Sequence, residues 1–583
     1  MAETIISPGV FTRENDIALV QPGAVEVGGA ILGPTAKGPV EEPTVVTSYN
    51  DFVRKFGTTF KSGSVTQEYF TSLAVKNYFQ NGGNTCLVTR VVSGSFTSAT
   101  STHISSSANG STQPFELKTI GKGTIFNASS ASLDPGGQYS DGSLKSGSAD
   151  NLRWEVSNVD NSKGTFTVQI RRGNDSRTNK VVLETFNNVS LDPNSNNYIE
   201  SVIGNQYKSV ASDGDVNYVK TTGEYVNKSN YVYVSAVNSP TLNYLANNGT
   251  TVNVDGAGNS YSGSLPSVQS GSFQGATGAN DIAGANYTKD INNTNTQGLI
   301  PGNYTTAISI LQNQDEYQFN VISAPGLVYS LTGHSTPIDS LISLAETRGD
   351  CIAVVDLRDY ASTVANVTTT ASGVNSSYAA TYWPWVQVQS ETGKLVWAPA
   401  STVIPGVYAF NDNSSAPWFA PAGLVRGGIG GVVQAEQRLT RTQRDTLYNG
   451  KVNPIATFPG QGIAVFGQKT LQTQPTALDR VNVRRLLIEI KKFLGEQANN
   501  LVFEQNTVAT RNAFLATVNP YLESIVQRSG LFAYRVVMDD TNNTADVVDR
   551  NLLVGQIYIQ PAKTAEFIVL DFTVEPTGAT FVA

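Results

Sequence analysis

The sequence contains few of the residues from which catalytic and metal centres are usually built. Its 583 residues include only two cysteines and two histidines, and charged residues make up 15%. Cys86 and Cys351 stand far apart, each in an apolar, strand-like segment, and no Cys and His spacing matches a zinc finger. We expect both to be buried thiols, with a disulfide between them as the alternative. We expect no metal site and no bound cofactor.

Long apolar runs and a basic balance are also missing. No stretch approaches the ~20 apolar residues that cross a bilayer, and MAETIISPGV lacks the basic region and apolar block of a secretory signal. The formal net charge is −8, whereas a dedicated nucleic-acid-binding protein usually has a basic footprint. We therefore expect a protein that folds in a cytoplasm, does not insert into membranes and does not bind nucleic acid directly.

Composition divides the chain into regions. The length favours three or four domains, at roughly 100–200 residues per domain. Residues 93–315 are rich in Ser, Thr, Asn and Gly, with alternating apolar pieces at 164–170 and 230–237. We predict one or two β-rich domains there, and disorder is the alternative for such a composition. Strands alternate with helices in 23–92 and 316–470, which predicts an α/β core.

One strand–helix–strand unit of this core ends in charged residues. The order of elements over 317–356 predicts two parallel strands with a helix crossing over them. Asp356, Arg358 and Asp359 follow the second strand, where an α/β enzyme would place an active-site edge. We favour solvated loop charges, because no nucleophile, base or phosphate loop accompanies them.

A glycine-rich run lies at Gly427–Gly431. It lacks the Lys-Ser/Thr of a P-loop, so tight backbone packing is the better account.

The densest apolar segment lies at 453–494. Ile463–Phe466 is predicted to be a buried strand, and the T-x-x-D pattern at Thr476–Asp479 predicts a helix to about Leu494. One face of this helix is expected to pack on a core, because apolar residues recur on it at helical spacing: Val483, Leu486, Leu487, Ile490 and Leu494. A second apolar spot, Val481 and Ile488, either meets a partner or belongs to a solvated helix face. Basic side chains frame the second spot: Arg480, Arg484, Arg485, Lys491 and Lys492.

Both ends of the chain are predicted to be extended arms. Residues 1–22 hold short β-prone pieces separated by Pro and Gly, too short to form a core of their own. Such an arm is either flexible or completes a sheet on another chain. Near the other end, apolar side chains alternate with polar ones and predict a half-buried strand, followed by a second candidate arm: Ile568, Leu570, Phe572 and Val574.

Several segments resemble the contractile tail sheath proteins of bacteriophages. The most specific are SPGVFTRE (7–14), FGQKTLQ (466–472), ALDRVNVRRLL (477–487) and QIYIQPAKTAEFI (556–568). Further similar segments lie at 33–57, 74–92, 418–432 and 441–462. The resemblance spans about residues 5–92 and 316–583 and leaves the inserted region uncovered.

The resemblance implies a fold class and its boundaries. The expected fold is an α/β core with a mixed sheet flanked by helices, a C-terminal α+β sheath domain, inserted β-rich domains and extended terminal arms. The implied boundaries are 1–22 for the N-terminal arm, 23–92 plus 316–470 for the sheath core, 93–315 for the inserted outer domain or domains, 471–570 for the C-terminal polymerisation domain and 571–583 for the C-terminal strand or arm.

The resemblance also implies a structural subunit rather than an enzyme. Sheath proteins polymerise as stacked hexameric rings around a tail tube, and the helical sheath contracts to drive that tube through the host envelope. The implied partners are further copies of the chain, the tail tube protein, and baseplate and terminator or neck proteins. The implied location is the virion tail, after assembly in the host cytoplasm.

The expected subunit or tube interface combines the two arms and the basic helix. Its candidate residues are Pro8, Val10, Phe11, Arg480, Arg484, Arg485, Lys491, Lys492, Ile568, Leu570, Phe572 and Val574. Two alternatives to a phage tail remain. One is the sheath of a phage-derived injector, of the tailocin or secretion type. The other is a virion protein whose β-rich region binds or hydrolyses glycans.

Overall fold

A computed structural model describes residues 26–62, 64–108, 110–128, 138–214, 216–282 and 287–566. The candidate arm residues therefore lie outside the described residues: Pro8, Val10, Phe11, Ile568, Leu570, Phe572 and Val574. Within the described ranges, no helix combines the length and the apolarity needed to cross a membrane.

The helices and strands follow one another in four groups along the chain. The first group is β1 (Glu26–Gly33), β2 (Thr44–Val46), α1 (Tyr49–Phe56), β3 (Thr59–Ser62), β4 (Val65–Glu68), α2 (Phe70–Gln80) and β5 (Cys86–Arg90). The second group is β6 (Ser98–Ser101), β7 (Phe115–Lys122), β8 (Leu152–Asp160), β9 (Thr165–Arg172), β10 (Val182–Ser190), α3 (Ile199–Ile203), β11 (Tyr207–Asp213), β12 (Val216–Thr222), β13 (Val232–Val237), α4 (Tyr261–Ser264) and β14 (Gln269–Gln274).

The remaining two groups complete the core and form a C-terminal unit. The third group is α5 (Tyr304–Ile310), β15 (Gln318–Val328), α6 (Ser335–Arg348), β16 (Ile352–Asp356), α7 (Val364–Ser372), β17 (Ala379–Trp383), β18 (Val386–Gln389), β19 (Leu395–Ala398), α8 (Ile404–Ser414), α9 (Gly423–Arg426), β20 (Val432–Ala435), α10 (Arg441–Asn449), β21 (Asn453–Phe458) and β22 (Gly462–Val465). The fourth is α11 (Val481–Asn499), α12 (Val508–Gln527), β23 (Leu531–Val537), α13 (Ala545–Asp549) and β24 (Gln556–Pro561).

An eight-stranded mixed sheet forms the centre of the α/β core, in the order β2-β5-β1-β15-β16-β17-β21-β22. Its six inner strands run parallel, and β2 and β22 run antiparallel at the two edges. Helices cover both faces, so inner strands such as β16 are buried at every position. The predicted parallel pair is confirmed, because β15 and β16 are joined through α6.

The region between β5 and β15 leaves this sheet and returns to it. Seven of its strands form a separate antiparallel sheet in the order β10-β9-β8-β14-β6-β7-β13, and β11 and β12 form a two-stranded sheet of their own. Trp154, Phe166 and Phe273 lie in the apolar core of this unit, and the rings of Phe115 and Phe166 stack 5.6 Å apart. The strands predicted at 164–170 and 230–237 are confirmed as β9 and β13.

Asp356 differs from the expected solvated loop charge. The residue ends β16 with 4% of its surface exposed. One carboxylate oxygen accepts the backbone N–H of Ser401 (3.1 Å) and the other accepts the Ser401 hydroxyl. Burial raises the pKa of Asp356 to about 7. The carboxylate therefore fastens the short 3₁₀ turn Ala400–Thr402 to the strand end, and the interpretation as a solvated charge is wrong for this residue.

The two cysteines and one glycine of the Gly-rich run agree with the sequence-based interpretation. Cys86 and Cys351 are buried and free, and burial raises the pKa of both thiols. The alternative of a disulfide between them is wrong. At Gly427, a Cβ atom would lie 2.6 Å from the carbonyl oxygen of Val465. Close backbone packing against β22 therefore accounts for this glycine.

Candidate assembly surface

Helix α11 lies between the α/β core and the C-terminal unit. Val481 and Ile488 belong to the apolar cluster that contains Val465 of β22. Leu486 and Ile490 instead belong to the cluster that contains the α12 side chains. The helix is thus covered from two sides. Both alternatives for the second apolar spot, a partner contact and a solvated helix face, are wrong, because the α/β core already covers Val481 and Ile488.

The core-face prediction for α11 is largely confirmed. Val483, Leu486 and Ile490 are buried, whereas Leu487 and Leu494 are only half-buried. The helix itself begins later than the capping pattern predicts. Thr476 accepts the backbone N–H of Leu478 and starts the 3₁₀ turn Ala477–Asp479, and α11 begins at Val481.

Two of the five basic residues predicted for the interface, both on α11, point into the subunit. Arg484 and Arg485 are 4% and 3% exposed. Arg484 donates to the Ser377 hydroxyl, and its guanidinium carbon lies 4.0 Å from the centre of the Tyr378 ring. Arg485 donates to the Asp412 carboxylate. The expected exposure of these two arginines is therefore corrected, because partners on the core satisfy them inside the chain.

The surroundings of Arg485 favour its charged form. Burial alone would lower its pKa, but the nearby Asp412 carboxylate and the Tyr408 and Tyr382 phenols raise it above its usual value. The guanidinium carbon also lies 4.7 Å from the centre of the Tyr408 ring. A buried charge of this kind stabilises a fold only while its partners remain in place.

Lys491 is the basic residue of α11 that is most open to a neighbour. Its side chain is exposed, and the ammonium lies 3.2 Å from the Tyr378 hydroxyl. Lys492, on the same turn, is half-buried. The assignment of Lys491 and Lys492 to a subunit or tube interface stays a prediction.

Arg480 joins the start of α11 to the last described residue of the chain. Its Nε and Nη2 atoms donate to the two carboxylate oxygens of Glu566, at 2.8 and 3.0 Å. The Tyr448 hydroxyl and the Gln468 amide donate to the same carboxylate, at 2.6 and 2.8 Å. We call Arg480, Tyr448, Gln468 and Glu566 the C-terminal clamp. Arg480 was among the predicted interface residues, whereas the other three were not.

The electrostatics of the clamp keep Glu566 ionised. Burial would raise the pKa of Glu566, but hydrogen bonds from Arg480, Tyr448 and Gln468 outweigh it and leave the pKa below its usual value. Three donors on one carboxylate fix its position more firmly than a single surface ion pair does. The chain therefore leaves the C-terminal unit through a fixed point on the α/β core.

The two-stranded sheet β23–β24 is open on both sides within the described part of the chain. The strands pair antiparallel with each other, and neither pairs with any other described strand. Its inner face packs on α12, where the Tyr534 hydroxyl donates to the Asn519 carbonyl oxygen (3.1 Å). On the other face, Phe532 and Tyr558 are 68% and 57% exposed. Open strand edges of this kind accept further strands unless a protein protects them.

Family descriptions match the two parts of the chain that form this surface. The phage tail sheath protein central domain matches residues 299–471, and the phage tail sheath C-terminal domain matches residues 473–575. Residues 299–471 and 473–575 are therefore similar to the two domains of phage tail sheath proteins. The C-terminal clamp joins these two sheath domains, because Tyr448 and Gln468 lie in the first match and Arg480 and Glu566 in the second. The inserted antiparallel sheet lies outside both matches.

Parts of the chain are also similar to curated tail sheath proteins. The chain is 39% identical over 216 residues to the tail sheath protein of Vibrio phage KVP40, across 37% of the chain and 31% of that relative. It is 33% identical over 270 residues to the tail sheath protein of Enterobacteria phage T4, across 43% and 41%. The aligned part thus spans less than half the length of these curated relatives.

The fold itself resembles that of a known sheath protein. The crystal structure of a sheath tail protein from Listeria innocua superposes with a TM-score of 0.51, at 12% identity, over 92% of this chain and 96% of that one. At this identity the likeness concerns the fold alone.

Proposed function

We propose that this protein is the structural subunit of a phage contractile tail sheath. Copies of the chain stack as hexameric rings around the tail tube, and the resulting helical sheath contracts to drive the tube through the host envelope. The subunit works as a building block and not as an enzyme. Its partners are further copies of the chain, the tail tube protein, and the baseplate and terminator or neck proteins. It resides in the virion tail after assembly in the host cytoplasm.

The open sheet β23–β24 is the single observation that best supports this assignment. A lone pair of strands is marginally stable in water and becomes stable when further strands extend it. The exposed Phe532 and Tyr558 provide an apolar surface beside those edges. We assign the missing strands to the arms of neighbouring subunits, residues 1–22 and 571–583, by strand addition. Pro8, Val10 and Phe11 belong to the first arm, and Phe572 and Val574 to the second.

The C-terminal clamp supports a distinction between subunit contacts that persist during contraction and contacts that change. Glu566, which precedes the C-terminal arm, is fixed to its own subunit by three donors. A pull on the arm is then transmitted to the α/β core instead of unravelling β24. During contraction, we infer, arm-to-sheet contacts persist while core-to-core contacts are remade. Packed interfaces switch between discrete arrangements and do not deform continuously.

Removal of the N-terminal arm tests the proposal. The full chain and a variant lacking residues 1–20 are purified and viewed by negative-stain electron microscopy, with and without purified tail tubes. We expect long striated tubes from the full chain. The shortened chain should stay folded and soluble but form no sheath. Normal sheaths from the shortened chain would contradict the role of the arm.

A matched control removes a similar length from elsewhere. Deletion of residues 207–222 takes out β11 and β12, a hairpin outside both family matches. Its two ends lie close together, because a Cβ at Gly223 would contact the backbone of Asn205. This variant should still form striated tubes. Loss of tubes in both variants would mean that assembly depends on general integrity of the chain and not on the arm.

A further inference from the structure

A solvent-accessible cavity of about 550 Å³ lies where the inserted sheet meets the α/β core. One wall comes from the loop after β1 and from α1, and the other comes from β7, the end of β9 and the β11–β13 region. The rim residues Tyr207, Val226 and Asn230 are exposed, so a small molecule can enter from solvent. The cavity is outside the sheath assembly surface described above.

The charge of the cavity is opposite to that of the protein. The whole chain carries a formal charge of −8. Among the described residues, only two carboxylates line the cavity, those of Glu42 and Asp150. Six cationic side chains line it: Lys37, Arg54, Lys55, Lys122, Arg172 and Lys208. Such a concentration of positive charge in a concave site attracts anions.

Both carboxylates of the lining are already paired. Lys208 contacts Glu42 at 2.8 Å, and Lys37 contacts Asp150 at 3.5 Å. These ion pairs connect the core to the inserted sheet and use up the negative charge of the cavity wall. Arg54 and Lys55 share a third carboxylate, that of Asp51, which does not line the cavity.

Two cations remain without a carboxylate partner among the described residues. Arg172 donates from Nε only to the side-chain oxygen of Asn174, at 2.7 Å. Lys122 forms no ion pair within the described part of the chain, although Glu42 and Glu41 attract it from a distance. Burial outweighs that attraction and lowers the pKa of Lys122. An anionic ligand would supply the missing counter-charge for both side chains.

The rest of the lining is suited to a sugar more than to a bare anion. The rings of Tyr207 and Tyr233 stack 5.7 Å apart, which offers a flat amphipathic wall. Ser229 and Asn230 also line the cavity, and their hydroxyl and amide groups donate to the Glu184 carboxylate at 2.6 and 3.1 Å. The tyrosine pair thus gives the cavity a surface on which the face of a sugar ring can pack.

We propose that this cavity binds a saccharide that carries a carboxylate, with Lys122 and Arg172 on the carboxylate and the Tyr207–Tyr233 pair against the sugar ring. A simple anion would meet the two cations but would leave the tyrosine wall unused. The inference goes beyond the proposed sheath function, and it gives the inserted region a binding role of its own.

Calorimetric titration of the purified full chain tests the site. The probes are digalacturonate and, as the matched neutral sugar, galactobiose. We expect digalacturonate to bind at least about tenfold more tightly. Loss of both cations, Lys122→Met with Arg172→Met, should weaken its binding about ten- to hundredfold, the range expected for hydrogen bonds to charged groups. Lys118→Met is the control, because Lys118 lies on the same strand, contacts Glu116 at 3.6 Å and does not line the cavity.

A second variant separates a saccharide site from a simple anion site. Tyr207 is exposed, so Tyr207→Ala should leave the fold intact even if the double variant is unstable. This substitution should weaken the binding of digalacturonate without changing the affinity of the chain for inorganic phosphate. The proposal is overturned if digalacturonate does not bind, if phosphate displaces it at equal concentration, or if Tyr207→Ala and the double variant bind as the parent chain does.

Discussion

Arg480, the residue immediately before α11, forms a two-point ion pair with Glu566, the last described residue of the chain. Arg480 also pairs with its neighbour Asp479 at 2.7 Å. The first contact spans 86 positions in the sequence and the second spans one. Only the long-range contact fixes the C-terminal arm to the core, so the two contacts have different consequences.

Glu566→Gln should loosen the end of β24 and leave the rest of the fold intact. The substitution keeps the shape but removes the charge that Arg480, Tyr448 and Gln468 bind together. We expect backbone amides of residues 556–566 to exchange with deuterium several-fold faster, for a loss of about 1–2 kcal/mol of local stability. Hydrogen-exchange mass spectrometry measures this directly.

Asp479→Asn is the control for the clamp. It removes the short-range partner of Arg480 and spares Glu566. Exchange over residues 556–566 should stay at the parent rate. Equal acceleration in both variants would show that the total charge around Arg480 matters and that the clamp has no specific role.

Arg485→Met should destabilise the contact between α11 and α8. Removal of the guanidinium leaves Asp412 without its partner and opens a gap beside Tyr408. Because Asp412 is partly solvated, we expect the free energy of unfolding to fall by about 2–3 kcal/mol, less than the 3–5 kcal/mol lost when a fully buried pair is broken. The amides of residues 404–414 should exchange faster. Lys491→Met on the same helix is exposed and should change exchange little, within about 0.5 kcal/mol.

The buried carboxylate of Glu68 predicts a pH-dependent stability. Glu68 accepts the Ser72 hydroxyl (2.9 Å) and the backbone N–H of Glu391 (2.8 Å), and burial raises its pKa to about 7. A carboxyl with a raised pKa binds its proton more tightly in the folded state. Stability is therefore highest at low pH and declines as the pH rises from about 4.3 through about 7, by on the order of 3 kcal/mol.

Glu68→Gln isolates this contribution. The substituted side chain of the variant cannot ionise. The protection factors of α2 amides, which correct for the intrinsic pH dependence of exchange, should therefore differ less between pH 5 and pH 8 than in the parent chain. It should also be less stable at pH 5, because the amide group lacks one of the two acceptors that Glu68 offers. Asp356, whose pKa burial also raises to about 7, retains its share of the pH dependence in both proteins. An unchanged difference between the two pH values would contradict the assignment.

Charged residues on the outer face of β23–β24 should block assembly without unfolding the subunit. Phe532→Lys with Tyr558→Lys places two cations where the proposed arm strands would pack. Both side chains are exposed, so the folding penalty should stay within about 0.5 kcal/mol each. Electron microscopy should show few or no striated tubes. Leu395→Lys, on an exposed position of β19 in the α/β core, is the control and should assemble normally.

The sequence determined the features that depend on local pattern. Alternation and helical spacing located β9, β13, α6 and most of α11, because a strand or helix with one covered face shows its period directly. The parallel β15–β16 pair followed from the order strand, helix, strand. The resemblance to tail sheath proteins rests on motifs of about ten residues, which are visible in the sequence without the tertiary structure.

Tertiary structure alone decided what covers each element. Periodicity predicted Val481 and Ile488 as an outer apolar spot and Arg484 and Arg485 as residues on its flanks. A periodic pattern locates one buried face of a helix, whereas α11 is covered by the α/β core on one side and by α12 on the other. The clamp was equally invisible, since Tyr448, Gln468, Arg480 and Glu566 are separated by up to 118 positions. Contacts over such distances depend on how the chain returns to itself, which no local pattern contains.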